Sequence, residues 1–121
     1  MDWIIVVITL ALLIILLLVK RSDQIAESAA AEHLKDGALV IDVRSAVEFS
    51  SGHLRGAINM PLPQIETLVA RQVTDKDQVL LLHCQSGARS GVARRKLASM
   101  GYTHVYNIGS YDRAARIAGS Q

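Results

Sequence analysis

One cysteine, Cys84, stands in a chain of 121 residues. That excludes an internal disulfide, a Cys-x-x-Cys redox pair and a cysteine-rich zinc site. Aromatic residues are scarce, with one phenylalanine and one tryptophan, and none is interleaved with a basic stretch of the kind that single-stranded nucleic acid needs. The formal net charge is only +2, so nucleic acid is not an expected partner. His33 and His104 share no ligand spacing with the other histidines, and no metal site is expected. The length leaves room for one small domain of about one hundred residues behind the first segment, and not for two.

Charge is missing from one place in particular. Trp3 to Val19 carries no ionisable residue, and Thr9 is its sole polar side chain. Seventeen residues lie at the short end of what spans a hydrocarbon core as a helix. No basic residue precedes this run, and Lys20-Arg21 rather than a small-x-small cleavage site follows it. The pattern predicts an uncleaved membrane anchor over 1–21 in preference to a signal peptide. Lys20, Arg21 and Lys35 downstream, with no Lys or Arg upstream, place the domain on the cytoplasmic side by the positive-inside rule.

Behind the anchor, 22–28 reads as a polar linker and 29–121 as the folded domain. Ser28 with Glu32-His33-Leu34-Lys35 suggests a capped helix ended by Gly37. Ala38 to Val43 and Val79 to His83 are apolar runs without alternation, the pattern of strands covered on both faces. A short helical piece near Ala46–Phe49, a short strand at Ala57–Asn59, helices over 64–71 and 92–100 and a strand at 104–107 complete the reading. Strands alternating with helices predict an α/β fold, a parallel sheet with helices on both faces. Ligands of such sheets sit at the carboxyl ends of the strands, where Cys84 falls.

Cys84-Gln85-Ser86-Gly87-Ala88-Arg89-Ser90 lies between a buried strand and a helix beginning near Gly91. Amides of such a loop, with those of the helix's first turn, make an anion-binding concavity around the sulfur and favour its ionisation. Four residues separate Cys84 from Arg89. A longer loop would suit a tetrahedral phosphoryl group; this one suits a single additional sulfur, a persulfide. Gly87 permits the tight backbone, Ser86 and Ser90 offer hydroxyls, and Arg89 can hold a loop carbonyl or an incoming anion.

Asp42-Val43-Arg44, Glu48-Phe49, Gly52 to Leu62 and Cys84 to Ser90, in that order, resemble the motifs of a single-domain rhodanese, a sulfurtransferase. Met100 to Val105 followed by Asn107 is similar to the ending of the phage shock protein E type within that family. The resemblance covers roughly 38–110 and implies a five-stranded parallel sheet, thiosulfate as donor, cyanide or a small thiol as acceptor, and a persulfide on Cys84. It implies no cofactor, and it implies export, which would place the domain in the periplasm instead. Gly109-Ser110-Tyr111 departs from the Gly-Gly and Trp that many rhodaneses carry there.

Around the loop, Asp42 is expected to accept hydrogen bonds from the loop or from the Gly52-His53 turn. Arg44 and Glu48, four apart, are expected to pair. His53 is expected to brace its turn, and Arg55 to assist Arg89 with the dianion. His83 reads as a packed histidine on the face opposite Cys84, and Arg94-Arg95-Lys96 as a solvated face that could also steer anions. The competing class is a non-catalytic sulfur-relay or protein-binding module, in which a protein loads or unloads Cys84. A phosphatase or arsenate reductase is disfavoured by the short loop.

Overall fold

The computed structural model describes residues 2–121, with the side chains of residues 20–22 outside the description. The Lys20-Arg21 pair behind the topology expectation therefore lies outside the described side chains. Helix α1 (Asp2–Ser22) contains the whole apolar run. Its stretch Asp2–Val19 is long and apolar enough to cross a membrane, and none of that stretch is buried against the rest of the chain.

The domain then runs α2 (Glu27–Lys35), β1 (Leu39–Asp42), α3 (Ala46–Ser51), β2 (Ile58–Asn59), a single 3-10 turn at Leu62–Gln64 leading into α4 (Ile65–Gln72), β3 (Leu80–His83), α5 (Ala88–Ser99), β4 (Val105–Gly109) and α6 (Tyr111–Gly119). All strand pairs are parallel, and the order across the sheet is β2-β1-β3-β4. Both central strands are apolar up to their last residues, Asp42 and His83, because both faces are covered. Leu80 and Leu82 pack with Ile41, Ile65, Val69 and Leu97 on one face, and Leu81 packs with Ala30, Ile108, Ala114 and Ile117 on the other. Each fully buried leucine contributes about 1.5–3 kcal/mol.

The sheet has four strands, not the five that the resemblance implied. Beyond β4, the fifth position is held by one parallel bridge, Gln24 to Asn107. The chain has just left α1 there and enters α2 three residues later, which leaves no length for a ladder. Within the linker, Ile25 N donates to Asn107 O at 3.3 Å, and Arg113 donates to the Ile25 carbonyl. Ser28 does not cap α2, which begins one residue before it at Glu27 behind Ala26. Helix α5 begins at Ala88, three residues ahead of the expected Gly91, so Ala88, Arg89 and Ser90 form its first turn. Helix α6, which the sequence reading left unassigned, starts behind Ser110, whose hydroxyl accepts from Arg113 N.

Candidate active site

Strand β3 ends at His83 and delivers Cys84 beneath the loop, with no exposed surface. Cys84 N donates to Gly109 O at 3.2 Å, fixing the residue to the neighbouring strand. The chain turns through Gly87, whose φ of +96° places it in the left-handed region. That turn aims Gly87 N at the sulfur, 3.0 Å away, and Ser90 Oγ stands 3.6 Å from it. Burial pushes the thiol pKa up, but the Ser90 hydroxyl and the amides of Ser90, Gly87 and Ser86 outweigh it, and the net shift is downward. The helix start thus supplies donors to the sulfur.

Arg89 is not a free anion clamp. It makes a two-pronged ion pair with Glu48, at 2.6 and 2.9 Å. Glu48 is positioned by a capping box, in which Ser45 N donates to Glu48 Oε1 and Glu48 N to Ser45 Oγ. The Arg89 bond first, and Ser45 second, hold the Glu48 carboxyl at about 2 against an ordinary 4.5. Arg89 is pushed upward by Glu48 and further by the Cys84 sulfur, which keeps a guanidinium at the rim of the cysteine loop.

The expected Arg44–Glu48 pair is replaced. Arg44 turns inward and grips Asp42 through Nε and Nη2, at 3.0 and 2.7 Å, while Arg44 N also donates to Asp42 Oδ1. Asp42 therefore receives its bonds from Arg44 rather than from the cysteine loop, and meets the Gly52 turn only through Arg44 Nη2, which donates to Gly52 O at 2.8 Å. The reason is burial: Asp42 has no exposed surface and Arg44 only 5 %, and a buried carboxylate takes the nearest fork of donors. The Arg44 guanidinium carbon also lies 4.6 Å from the centre of the Tyr111 ring, so Ser110 and Tyr111, where the family's Gly-Gly and Trp were absent, cap α6 and cover this pair. His53 stacks on Phe49 at 3.8 Å and contacts its carbonyl through Nδ1. Arg55 is exposed and has no ion pair among the described residues.

His83 is fully buried. Its Nδ1 meets Cys84 O at 3.3 Å, its Nε2 has no hydrogen-bond partner among the described residues, and burial lowers its pKa despite Asp42 nearby. Behind the loop, Asn107 and the Asp23-Gln24 pair contact Gly87, Ser90 and Gly91. Sequence pattern alone gives none of these three a role at the site: Asn107 falls in the family ending, and Asp23-Gln24 lie in a stretch with no apolar period. A cavity of about 580 Å³ opens on this side, between Val19, Gln24, Arg94 and the outside of the loop. Another, of about 390 Å³, lies between Arg89, Ser45 and the Pro61-Leu62-Pro63 segment. Among the described residues, no cluster of three or more His, Cys, Asp or Glu side chains could hold a metal ion.

Strand, tight amide-lined loop and helix, with a buried thiol at the junction, define a small α/β protein whose cysteine sits in an anion cradle. The chain belongs to the rhodanese-like domain family, whose profile matches residues 26–114. It is 41% identical over 80 residues to the thiosulfate sulfurtransferase PspE of Escherichia coli (strain K12), covering 66% of this chain and 71% of that protein. It is 42% identical over 71 residues to the uncharacterized protein YqhL of Bacillus subtilis (strain 168), covering 59% of this chain and 55% of that one. A solved rhodanese with anions from E. coli superposes with a TM-score of 0.61 at 38% identity, over 64% of this chain and 91% of that one.

Proposed function

We propose that the protein is a thiosulfate sulfurtransferase that carries sulfane sulfur on Cys84. The observation that carries this reading is the sulfur of Cys84 facing the Gly87 amide at 3.0 Å inside a loop that lowers its pKa. In the first half-reaction the Cys84 thiolate attacks the outer sulfur of thiosulfate. The S–S bond to the sulfonate sulfur breaks, sulfite leaves with the bonding pair, and a Cys84 persulfide anion remains. In the second, cyanide or a thiolate attacks the terminal sulfur, and the bonding pair returns to Cys84. Charge balances in both steps without a cofactor.

The roles follow from position. Amides of Gln85 to Ser90 would stabilise the charged sulfur, and Arg89, oriented by Glu48, would meet the sulfonate at the rim with Arg55 as an outer cation. Asp42, Arg44 and His53 would hold the facing turn in place. We read 1–21 as an anchor that keeps the catalytic unit, 29–121, at a membrane surface. Its length and composition support this, as does the absence of burial over Asp2–Val19. PspE is named a thiosulfate sulfurtransferase, which supports thiosulfate as donor over a protein-only relay.

The test is thiocyanate formation from thiosulfate and cyanide. Parent protein is expected to turn over, and Cys84→Ser to give only the uncatalysed rate. Equal turnover by the variant would overturn the assignment.

A further inference from the structure

The cavity of about 580 Å³ between the end of α1 and the outer face of the cysteine loop has no part in sulfur transfer, and its walls are of two kinds. Val19, the last residue of the apolar stretch, and Val92 of α5 give apolar surface. Arg94 and Arg95, also of α5, give two guanidiniums. The two arginines differ. Arg94 is held by Asp23, whose Oδ1 accepts its Nε at 2.9 Å and its Nη2 at 2.7 Å. Asp23 Oδ2 accepts Asn107 Nδ2 at 3.1 Å. Asp23 is the one carboxylate among the described residues lining the cavity, and Arg94 neutralises it. Arg95 is exposed and makes no ion pair among the described residues. The cavity therefore keeps one uncompensated positive charge.

Position decides which anion meets that charge. With Asp2–Val19 spanning a bilayer, Val19 stands at the edge of the hydrocarbon core, and walls that share a cavity with it lie at the depth of the headgroups. A free anion would use the guanidiniums alone. A phospholipid uses both kinds of wall: its phosphate accepts from arginine, and the upper part of its acyl chains lies against Val19 and Val92. We propose that this cavity seats the headgroup of an anionic phospholipid, with Arg95 as its principal cation and Arg94 as its second. The proposal rests on reading 1–21 as a membrane anchor, and it does not depend on sulfur transfer. Ser86, Gly87 and Ala88 line the same cavity, so a lipid seated there holds the outer face of the cysteine loop against the bilayer surface. Lys96, the next residue of α5, is turned to Glu66 at 3.5 Å and is not among the described residues of the cavity wall.

The test uses full-length protein in vesicles of phosphatidylcholine and phosphatidylglycerol in equal parts. Lipids that stay bound after mild detergent release are identified by native mass spectrometry. The parent is expected to retain phosphatidylglycerol in preference. Arg95→Ala is expected to lower that preference about fivefold, the factor that corresponds to about 1 kcal/mol for one basic residue at an anionic surface. Lys96→Ala removes the same charge one residue away and is expected to keep the parent's preference. A parent without preference, or an Arg95→Ala variant that keeps it, would overturn the proposal. Equal losses in the two variants would overturn it too, because they would assign the attraction to general charge rather than to the cavity. Flotation with vesicles of phosphatidylcholine alone reads the anchor separately, since insertion of an apolar helix needs no anionic lipid. Protein that fails to float contradicts the anchor and the lipid site together. Protein that floats but retains both lipids alike contradicts the lipid site alone.

Discussion

Asp42 shows how a single buried charge dictates its neighbours. Its carboxylate has no exposed surface, and Arg44 answers with backbone and side-chain donors at once. Removing one partner of such a pair leaves an uncompensated charge, so Arg44→Ala is expected to cost about 3–5 kcal/mol by chemical denaturation. Arg44→Lys is expected to recover only part of this, because an ammonium cannot make the fork; full recovery would contradict it. Glu48 and His83 give the fold an acid dependence of known sign. The His83 pKa is depressed by burial below its ordinary 6.5, so the unfolded chain takes up that proton first and stability is lost as pH falls below about 6.5. Glu48, lowered from 4.5 to about 2 by Arg89, contributes stability that is present above 4.5 and lost as pH falls toward 2. That contribution is reduced by solvent screening, since its side chain is 35% exposed. Denaturation at stepped pH is expected to show an upper stage removed in His83→Gln and a lower one removed in Glu48→Gln. A single stage indifferent to both would contradict the assignment.

Between β3 and α5 the chain turns on Gly87, and the turn is what points an amide at the sulfur. Gly87→Ala meets two obstacles. One is the left-handed backbone, which costs roughly 1–2 kcal/mol with a Cβ. The other is Gln24 Nε2, 2.8 Å from where that Cβ would sit. Gly101 has a similar φ of +94° with nothing within 4 Å, and so isolates the backbone cost. Gly101→Ala is expected to lose the backbone cost alone in thermal melts and Gly87→Ala to lose more, and only Gly87→Ala to lose thiosulfate turnover; equal turnover in the two would contradict the role given to the loop. The same elements show why some of the fold was legible in the sequence. Strands β1 and β3 are apolar up to Asp42 and His83 because both of their faces are covered, and that run is legible at sight. Helix α6 spans nine residues and buries only Ala114 and Ile117, so few apolar side chains announce it despite its two-sided pattern. The first turn of α5, Ala88-Arg89-Ser90, carries loop chemistry rather than an apolar stripe, so its start was placed three residues late.

Across the whole molecule, the site is assembled from segments far apart in the chain. The Glu48–Arg89 pair closes over a separation of 41 residues, and the Asp23–Asn107 bond over 84. Local pattern could find Cys84 and its loop, because the strand, the glycine and the helix start are adjacent. It could not find partners brought in by topology: it paired Glu48 with Arg44 on spacing alone, and it left Asp23 and Gln24 in a linker. The missing fifth strand has the same origin, since one bridge at Gln24 fills a position that only the folded sheet reveals. The proposed sulfur carriage by Cys84 is the point on which all of these parts converge, and intact-protein mass spectrometry reads it directly. Full-length protein is incubated with thiosulfate beside Cys84→Ser, and cyanide is then added. A gain of one sulfur on the parent alone, removed by cyanide, is the expected result. No adduct on folded, reduced protein, or an adduct that Cys84→Ser also acquires, would contradict the assignment.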